Sequence, residues 1–576
     1  MRELLSAAAV LSLTLTPARA RDTYPRQDGV SPQHYVFALT LSDANDEIVA
    51  ESSVSMRFTK DGLTSFFLDL TTADAGKGMT VTAVTADSAN GSPLHFTHTE
   101  NHLTITLDRP SKSGDVRRFA VRYHGRPADG LRTGVNKFNE RCFFSWNWPN
   151  KARDWLPMID HPSAKATSEF IVTAPAKYSV VANGLLQSEV YNGDGTKTTH
   201  WKESVPIASW LNAIGVEQFA VHHGQYVKGV ELQTWVAHQD GDIGPEQFES
   251  TAQLALEFFS DWIGPYAYEK LANVTAPFDG GATEHASEIY YGDGGTRANY
   301  TPPPRPAAPA SGGRGGAGRG GQARGTASRS ASPHEIAHQW FGDGVTESDW
   351  NDIWLSEGFA TYFNLLYVEH YRGHDDFIRG VHGMFDAAKT AEAQSHQPVV
   401  HENVAPERET VNHRVGYQKG GSVLHVLRGQ VGTETFWKAI REYYRLYRNA
   451  NASSDDLRHV FELQSGQDLQ WFFDQWLHRN TIPAVDGGWS YDPASKKIVV
   501  ELAQTQPGEP YRLPLELGIV PDSGIGPMRI EKVNVTQLTQ RFEIAADRAP
   551  KDVVLDPNVW MLMDAKFVKR TVNNQR

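Results

Sequence analysis

A chain of 576 residues is too long for a single hydrophobic core, and length alone leads us to expect about three domains. A hydrophobic content of 40% and fifteen tryptophans exclude wholesale disorder, and a net charge of −13 disfavours nucleic acid and anionic membranes as partners. The lone cysteine, Cys142, excludes an intramolecular disulfide, a thiolate metal cluster and CxxC redox chemistry.

The chain opens with Arg2 and an apolar stretch from Leu4 to Leu15. Pro17 and an Ala18-Arg19-Ala20 cleavage pattern follow. This order predicts an export signal over residues 1–20, with the mature chain starting near Arg21. No later apolar run is long enough to span a bilayer. The expected product is exported, periplasmic or secreted, without a stable membrane anchor.

From Asp22 to Phe219 the pattern is β-rich. Tyr35, Phe37, Leu39 and Leu41 alternate as a half-buried strand does, and similar runs recur at Ser65–Leu70, Met79–Val84, Leu103–Leu107 and Arg118–Tyr123. Two Trp- and Pro-containing loops, Trp146 to Asn150 and Trp155 to Pro162, are expected to pack near a cleft. After Gly229 the period changes: Phe248 to Trp262 predicts an amphipathic helix. The segment Gly281-Ala282-Thr283-Glu284-His285 follows, preceded by Gly280, and its paired glycines let backbone approach a ligand closely. Residues 301–332 are low-complexity, rich in Pro, Ala, Gly and Arg, and predict a flexible insert.

Ser332-Pro333 then starts a helix bearing His334-Glu335-Ile336-Ala337-His338. This is the H-E-x-x-H pattern of zinc hydrolases: residues i and i+4 share a helical face, so two imidazoles can reach one ion, while the adjacent glutamate is placed to hold a water. Ser332 and Glu335 are equally spaced as a capping box, which gives Glu335 a purely structural alternative. A zinc site needs a third protein ligand, and eighteen residues separate His338 from Glu357, enough for a loop and a returning helix. Helices are predicted over Trp350–Tyr371, Asn412–Val431, Thr433–Tyr447, Ser454–Leu463 and Leu469–Leu477. Strands return from Gly488 onward and predict a small β-sandwich.

Together, His334, His338 and Glu357 at this spacing resemble the gluzincin aminopeptidases typified by aminopeptidase N. Gln339-Trp340-Phe341-Gly342 and Trp354 to Ala360 flank the ligands as in that family. Gly281 to His285 resembles its Gly-Ala/Met-Met-Glu-Asn exopeptidase motif, and Tyr417-Gln418-Lys419-Gly420 its catalytic tyrosine segment. The stretch Pro157 to Ala166 and Ala182-Asn183-Gly184 resemble its N-terminal domain. The resemblance implies a multidomain α+β chain: an N-terminal β-domain (21–226), a thermolysin-like, α-rich catalytic domain (227–480, with the 301–332 insert) and a C-terminal β-sandwich (481–576). It resembles a short form of the family, without the large helical domain that many members add.

By the same resemblance, one Zn²⁺ per chain is held by His334, His338 and Glu357. Glu335 is the general base and Tyr417 donates to the oxyanion. Glu284 pairs with the substrate's α-ammonium, with Gly281 and Ala282 lining the substrate. The implied activity is aminopeptidase action on peptides with a free N-terminus. Alternatives are a zinc endopeptidase, a catalytically weak peptide-binding relative, and the epoxide hydrolysis of one family branch. Thr283 and His285 depart from the exopeptidase motif. The family's second amine-binding residue, a Glu or Gln of the N-terminal domain, falls on Trp148, with Asn147 and Asn150 as nearby substitutes.

Overall fold

The computed structural model describes residues 22–88, 90–278, 281–292, 331–401, 404 and 415–570. The predicted export signal and the insert up to residue 330 lie outside the described residues. Among the described residues, no helix is long and apolar enough to cross a membrane.

The N-terminal part is built of β-sheets. A seven-stranded sheet runs in the order Leu185–Tyr191, Thr196–Ile207, Ala166–Pro175, Val30–Thr40, Ile48–Phe58, Val116–Arg126 and Gly78–Ala86. The alternation around Tyr35 is realised here: Tyr35, Phe37 and Leu39 are buried and their neighbours are less so. A four-stranded sheet, Ser179–Ala182, Ile214–Glu217, Arg141–Trp146 and Gly130–Val135, faces the central part. Phe144 of this sheet packs edge-on against Tyr290 and Phe278 across the junction.

The central part begins with a five-stranded sheet in the order Phe219–Val227, Val230–Ala237, Lys270–Ala276, Glu288–Gly292 and Ala282–Thr283. Val230–Ala237 and Lys270–Ala276 are parallel, and the helix Gly244–Trp262 makes the crossover between them. Phe248, Leu256, Phe258 and Phe259 are the buried face of that helix. Ala282–Thr283 is the edge strand, antiparallel to Glu288–Gly292.

Helices Pro333–His338, Trp354–Arg372, His374–Ser395, Gly420–Val431, Thr433–Tyr447, Ser454–Ser465 and Gln470–His478 complete this part. The sequence pattern anticipates all but His374–Ser395, whose two internal glycines and polar surface mask its period. The buried residues Phe377, Val381, Met384, Phe385 and Ala388 nonetheless follow a helical stripe. Phe341, Phe359, Phe363 and Tyr443 form an aromatic stack under the histidine helix. Burying each ring contributes about 1.5–3 kcal/mol.

The C-terminal part pairs a four-stranded sheet with a three-stranded one, Arg529–Val535, Leu513–Val520 and Asp552–Leu555. Its first strand is Ala484–Asp492, earlier than the expected start at Gly488, and Asp564–Lys569 pairs parallel to it. A Cβ on Gly487 would lie 2.5 Å from the Glu501 carbonyl oxygen, so this glycine marks close strand packing.

Candidate active site

The histidine helix spans only six residues and starts at Pro333, with Ser332 extended just before it. Ser332 makes no side-chain capping bond, so the capping-box alternative for Glu335 is not realised. His334 and His338 stand one turn apart with ring centroids 4.9 Å apart and planes at 83°. Their Nε2 atoms are 3.2 Å apart.

Glu357 sits in the first turn of the helix Trp354–Arg372. Its Oε2 lies 3.5 Å from His334 Nε2 and 3.4 Å from His338 Nε2. Ligands held at about 2.0–2.2 Å by a tetrahedral ion lie about 3.3–3.6 Å from one another, and the 3.2, 3.4 and 3.5 Å separations of this trio are close to that range. Glu357 Oε2 is buried without a hydrogen-bond partner, which leaves an acceptor aimed at the centre of the trio. The local field also calls for a cation. Burial would raise Glu357, but His338 and His334 carry it down to about 2. Burial opposes a charge on His338, yet Glu284 and Glu357 hold it well above the ordinary imidazole range. The residues present therefore fit a zinc ion.

The opposite ring nitrogen of His338 is equally well placed. Nδ1 lies 3.0 Å from Ser356 Oγ and 3.3 Å from the Phe341 carbonyl. Donation of Nδ1–H to these acceptors leaves the Nε2 lone pair for the metal. Gly342 makes room for this contact: its φ is +117°, and a Cβ there would fall 2.3 Å from Ser356 Oγ. The sequence pattern did not single out Ser356. Its position immediately before the third ligand was the available signal.

Zinc addition is expected to raise the melting temperature of chelator-stripped protein. Free metal at a hundred times its Kd adds about 2.7 kcal/mol to stability. Melts indifferent to both chelator and zinc would remove the metal from this site.

Glu284 and Glu335 close the other side. Their carboxylates and His338 offer atoms all within 4.8 Å of one another. Glu284 is 7% exposed, and burial pushes its carboxyl up to about 8. A positive partner would restore its charged form. Gly281, with φ +82°, leads into the edge strand Ala282–Thr283, so both predicted lining residues adjoin Glu284.

Tyr417 lies in a π-helical turn, Val415–Lys419, that runs into the helix Gly420–Val431. Its hydroxyl donates to Glu357 Oε1 at 2.5 Å, and its ring lies parallel to that of His334, with centroids 6.3 Å apart. Glycine makes this proximity sterically possible. A Cβ on Gly358 would lie 2.9 Å from the Gly420 backbone, so the ligand helix and the tyrosine helix touch main chain to main chain. His334, His338, Glu357, Glu284, Glu335 and Tyr417 thus gather in one region, and Gly281 and Ala282 precede Glu284 in the chain.

Trp148 and Asn147 do not join them. Trp148 is buried edge-on against Trp210 and Trp350, with centroids 4.7 and 5.3 Å away. The amide of Asn147 donates to the Asn212 carbonyl at 2.6 Å and accepts from Trp155 Nε1 at 2.9 Å. Both ends of that side chain are committed to structure, which rules it out as an amine ligand in this geometry. His285, at the motif's Asn position, is fully buried edge-on to Tyr290, and burial pushes it down to about 3.

Comparison with known proteins agrees with this architecture. The peptidase M1 N-terminal domain matches residues 31–211, and the peptidase family M1 domain matches residues 326–476. Mouse (Mus musculus) glutamyl aminopeptidase is 26% identical over 377 residues, 64% of this chain and 37% of its own length. Tricorn protease-interacting factor F2 of Thermoplasma acidophilum is 26% identical over 407 residues, 69% of this chain and 48% of its own length. The chain thus spans less than half the length of these curated relatives. A crystal structure of an M1 zinc metallopeptidase from Deinococcus radiodurans superposes with a TM-score of 0.65 at 26% identity, covering 79% of this chain and 96% of that one. A mutant of that enzyme has been solved bound to a Tyr-Ser-Ala substrate, with a TM-score of 0.64 at 26% identity, covering 81% of this chain and 97% of that one.

Proposed function

The chain belongs to peptidase family M1, and from that premise we propose that it is a zinc-dependent aminopeptidase, exported from the cytoplasm, that releases the N-terminal residue of peptides with a free α-ammonium group. One observation carries the proposal: Glu284 and Glu335 both lie against His338, one of the three metal donors, so an amine anchor and a proton acceptor share one small space. Relatives named as aminopeptidases, and a structural neighbour bound to a tripeptide, support the substrate class.

His334, His338 and Glu357 would hold the zinc ion, which would supply Lewis acidity toward a water and the scissile carbonyl. The Glu335 carboxylate takes the proton of the attacking water and returns it to the leaving amine. Tyr417 Oη donates to the oxyanion, turning from the acceptor it holds at Glu357 Oε1. Glu284 receives the substrate's ammonium; burying that charge without a carboxylate would be costly. Because Glu284 stands so close to His338, only one residue fits between amine and scissile bond, which favours an exopeptidase over an endopeptidase.

Aminoacyl amides with free and with acetylated amines test this reading. Wild type is expected to cleave only the free form. In Glu284→Ala, kcat/KM for that form should fall about 30- to 1,000-fold, equivalent to about 2–4 kcal/mol. Equal cleavage of acetylated substrate by wild type would replace aminopeptidase with endopeptidase.

A further inference from the structure

Glu284 is followed by a short loop, His285, Ala286 and Ser287, whose backbone is gripped from two sides. On one side is Gln339, the residue after the metal donor His338 and fully buried. Its Oε1 accepts from the Ser287 N–H at 2.9 Å and from the Tyr266 hydroxyl at 3.0 Å. Its Nε2 donates to the His285 carbonyl at 3.2 Å and to Asp343 Oδ2 at 2.6 Å.

On the other side is Asn183, in the four-stranded-sheet region of the N-terminal part. Its Nδ2 donates to the Ala286 carbonyl at 2.7 Å and to the Leu211 carbonyl at 2.9 Å, while its Oδ1 accepts from the Ala213 N–H at 2.6 Å. Next to it, the Gly184 N–H donates to Ser287 Oγ at 2.8 Å. Ser287 itself has φ +64°, a left-handed conformation that a serine keeps only when its surroundings hold it there. The His285 ring, buried with no partner for either nitrogen, adds no polar anchor of its own. Gln339 and Asn183 thus hold the His285 and Ala286 carbonyls, while the Ala272 N–H of the neighbouring strand secures the Ser287 carbonyl at 3.0 Å.

We propose that Gln339 and Asn183 are positioning residues for amine recognition: they clamp the backbone of Glu284–Ser287 between the metal helix and the N-terminal β-domain, and so fix the distance from the Glu284 carboxylate to the metal donors. This rests on the assignment of Glu284 to the substrate amine. It also gives the N-terminal domain a part in amine recognition, through Asn183 rather than through the position occupied by Trp148.

The test is a double-mutant cycle on the full-length zinc enzyme with an aminoacyl amide, combining Gln339→Met or Asn183→Ala with Glu284→Ala. Each single clamp variant is expected to raise KM about tenfold, with kcat reduced less and chelator-competed zinc affinity unchanged. In the Glu284→Ala background the same changes should cost less than about twofold, because the anchor they position is already gone. Equal costs in both backgrounds, or a loss of zinc affinity that accounts for the lost activity, would overturn the clamp. Should Gln339→Met fail to fold, Asn183→Ala and Gln339→Glu, which retains the acceptor for Ser287, carry the same comparison. If Glu284→Ala alone leaves the kinetics unchanged, the amine assignment has failed, a result distinct from additive costs with an active anchor.

Discussion

Glu335→Gln is expected to lower kcat about a hundred- to ten-thousand-fold while leaving zinc content and thermal melting as in wild type. Glutamine has nearly the same shape but cannot accept the water's proton. Metal binding should survive, because the spacing of a tetrahedral site is already met by His334, His338 and Glu357. Stability should survive as well, because Ser332 forms no capping bond with this helix start. The measurement is turnover of an aminoacyl fluorogenic amide alongside metal analysis. Turnover above a tenth of wild type would remove Glu335 from the proton-transfer role. Loss of zinc would instead make it a ligand, as its grouping with Glu284 and His338 allows.

Tyr417→Phe is the second large effect. One oxyanion donor contributes about a hundred- to a thousand-fold in kcat, and that is the expected loss, with KM changed by less than about threefold. The geometry adds a second observable. Tyr417 Oη donates to Glu357 Oε1, so the phenylalanine variant also strips a partner from the carboxylate proposed to bind zinc. Zinc affinity therefore separates two roles. A kcat loss at full zinc occupancy supports oxyanion donation. A loss recovered entirely by excess zinc would assign Tyr417 to holding the ligand alone.

Much of this site was legible because it is written in local spacing. The pair His334 and His338 requires only a helical turn, and Glu357 only a loop and a second helix. Strands such as Val30–Thr40 and helices such as Thr433–Tyr447 likewise follow from their own period of burial. What stayed hidden depends on partners distant in the chain. Ser356 looks like any serine on a helix until the fold sets it 3.0 Å from His338 Nδ1. Gln339 and Asn183 show a role only once the Glu284 loop lies between them. Asn147 drew attention by its neighbours, but Trp155 and Asn212 use up its amide. Asp564–Lys569 is charged and mostly exposed, so its sequence carries no period, and pairing beside Ala484–Asp492 makes it a strand.

The main-chain contact between Gly358 and Gly420 has a bearing on how tolerance to mutation would be distributed over this chain. Neither glycine carries a group that can touch a substrate, yet a methyl at Gly358 must push apart the two helices that carry Glu357 and Tyr417. A saturation screen for activity would therefore score these positions alongside the proposed metal ligands, while a screen for expression alone would score them as ordinary packing sites. Residues that divide in this way mark where catalysis constrains the backbone rather than a functional group.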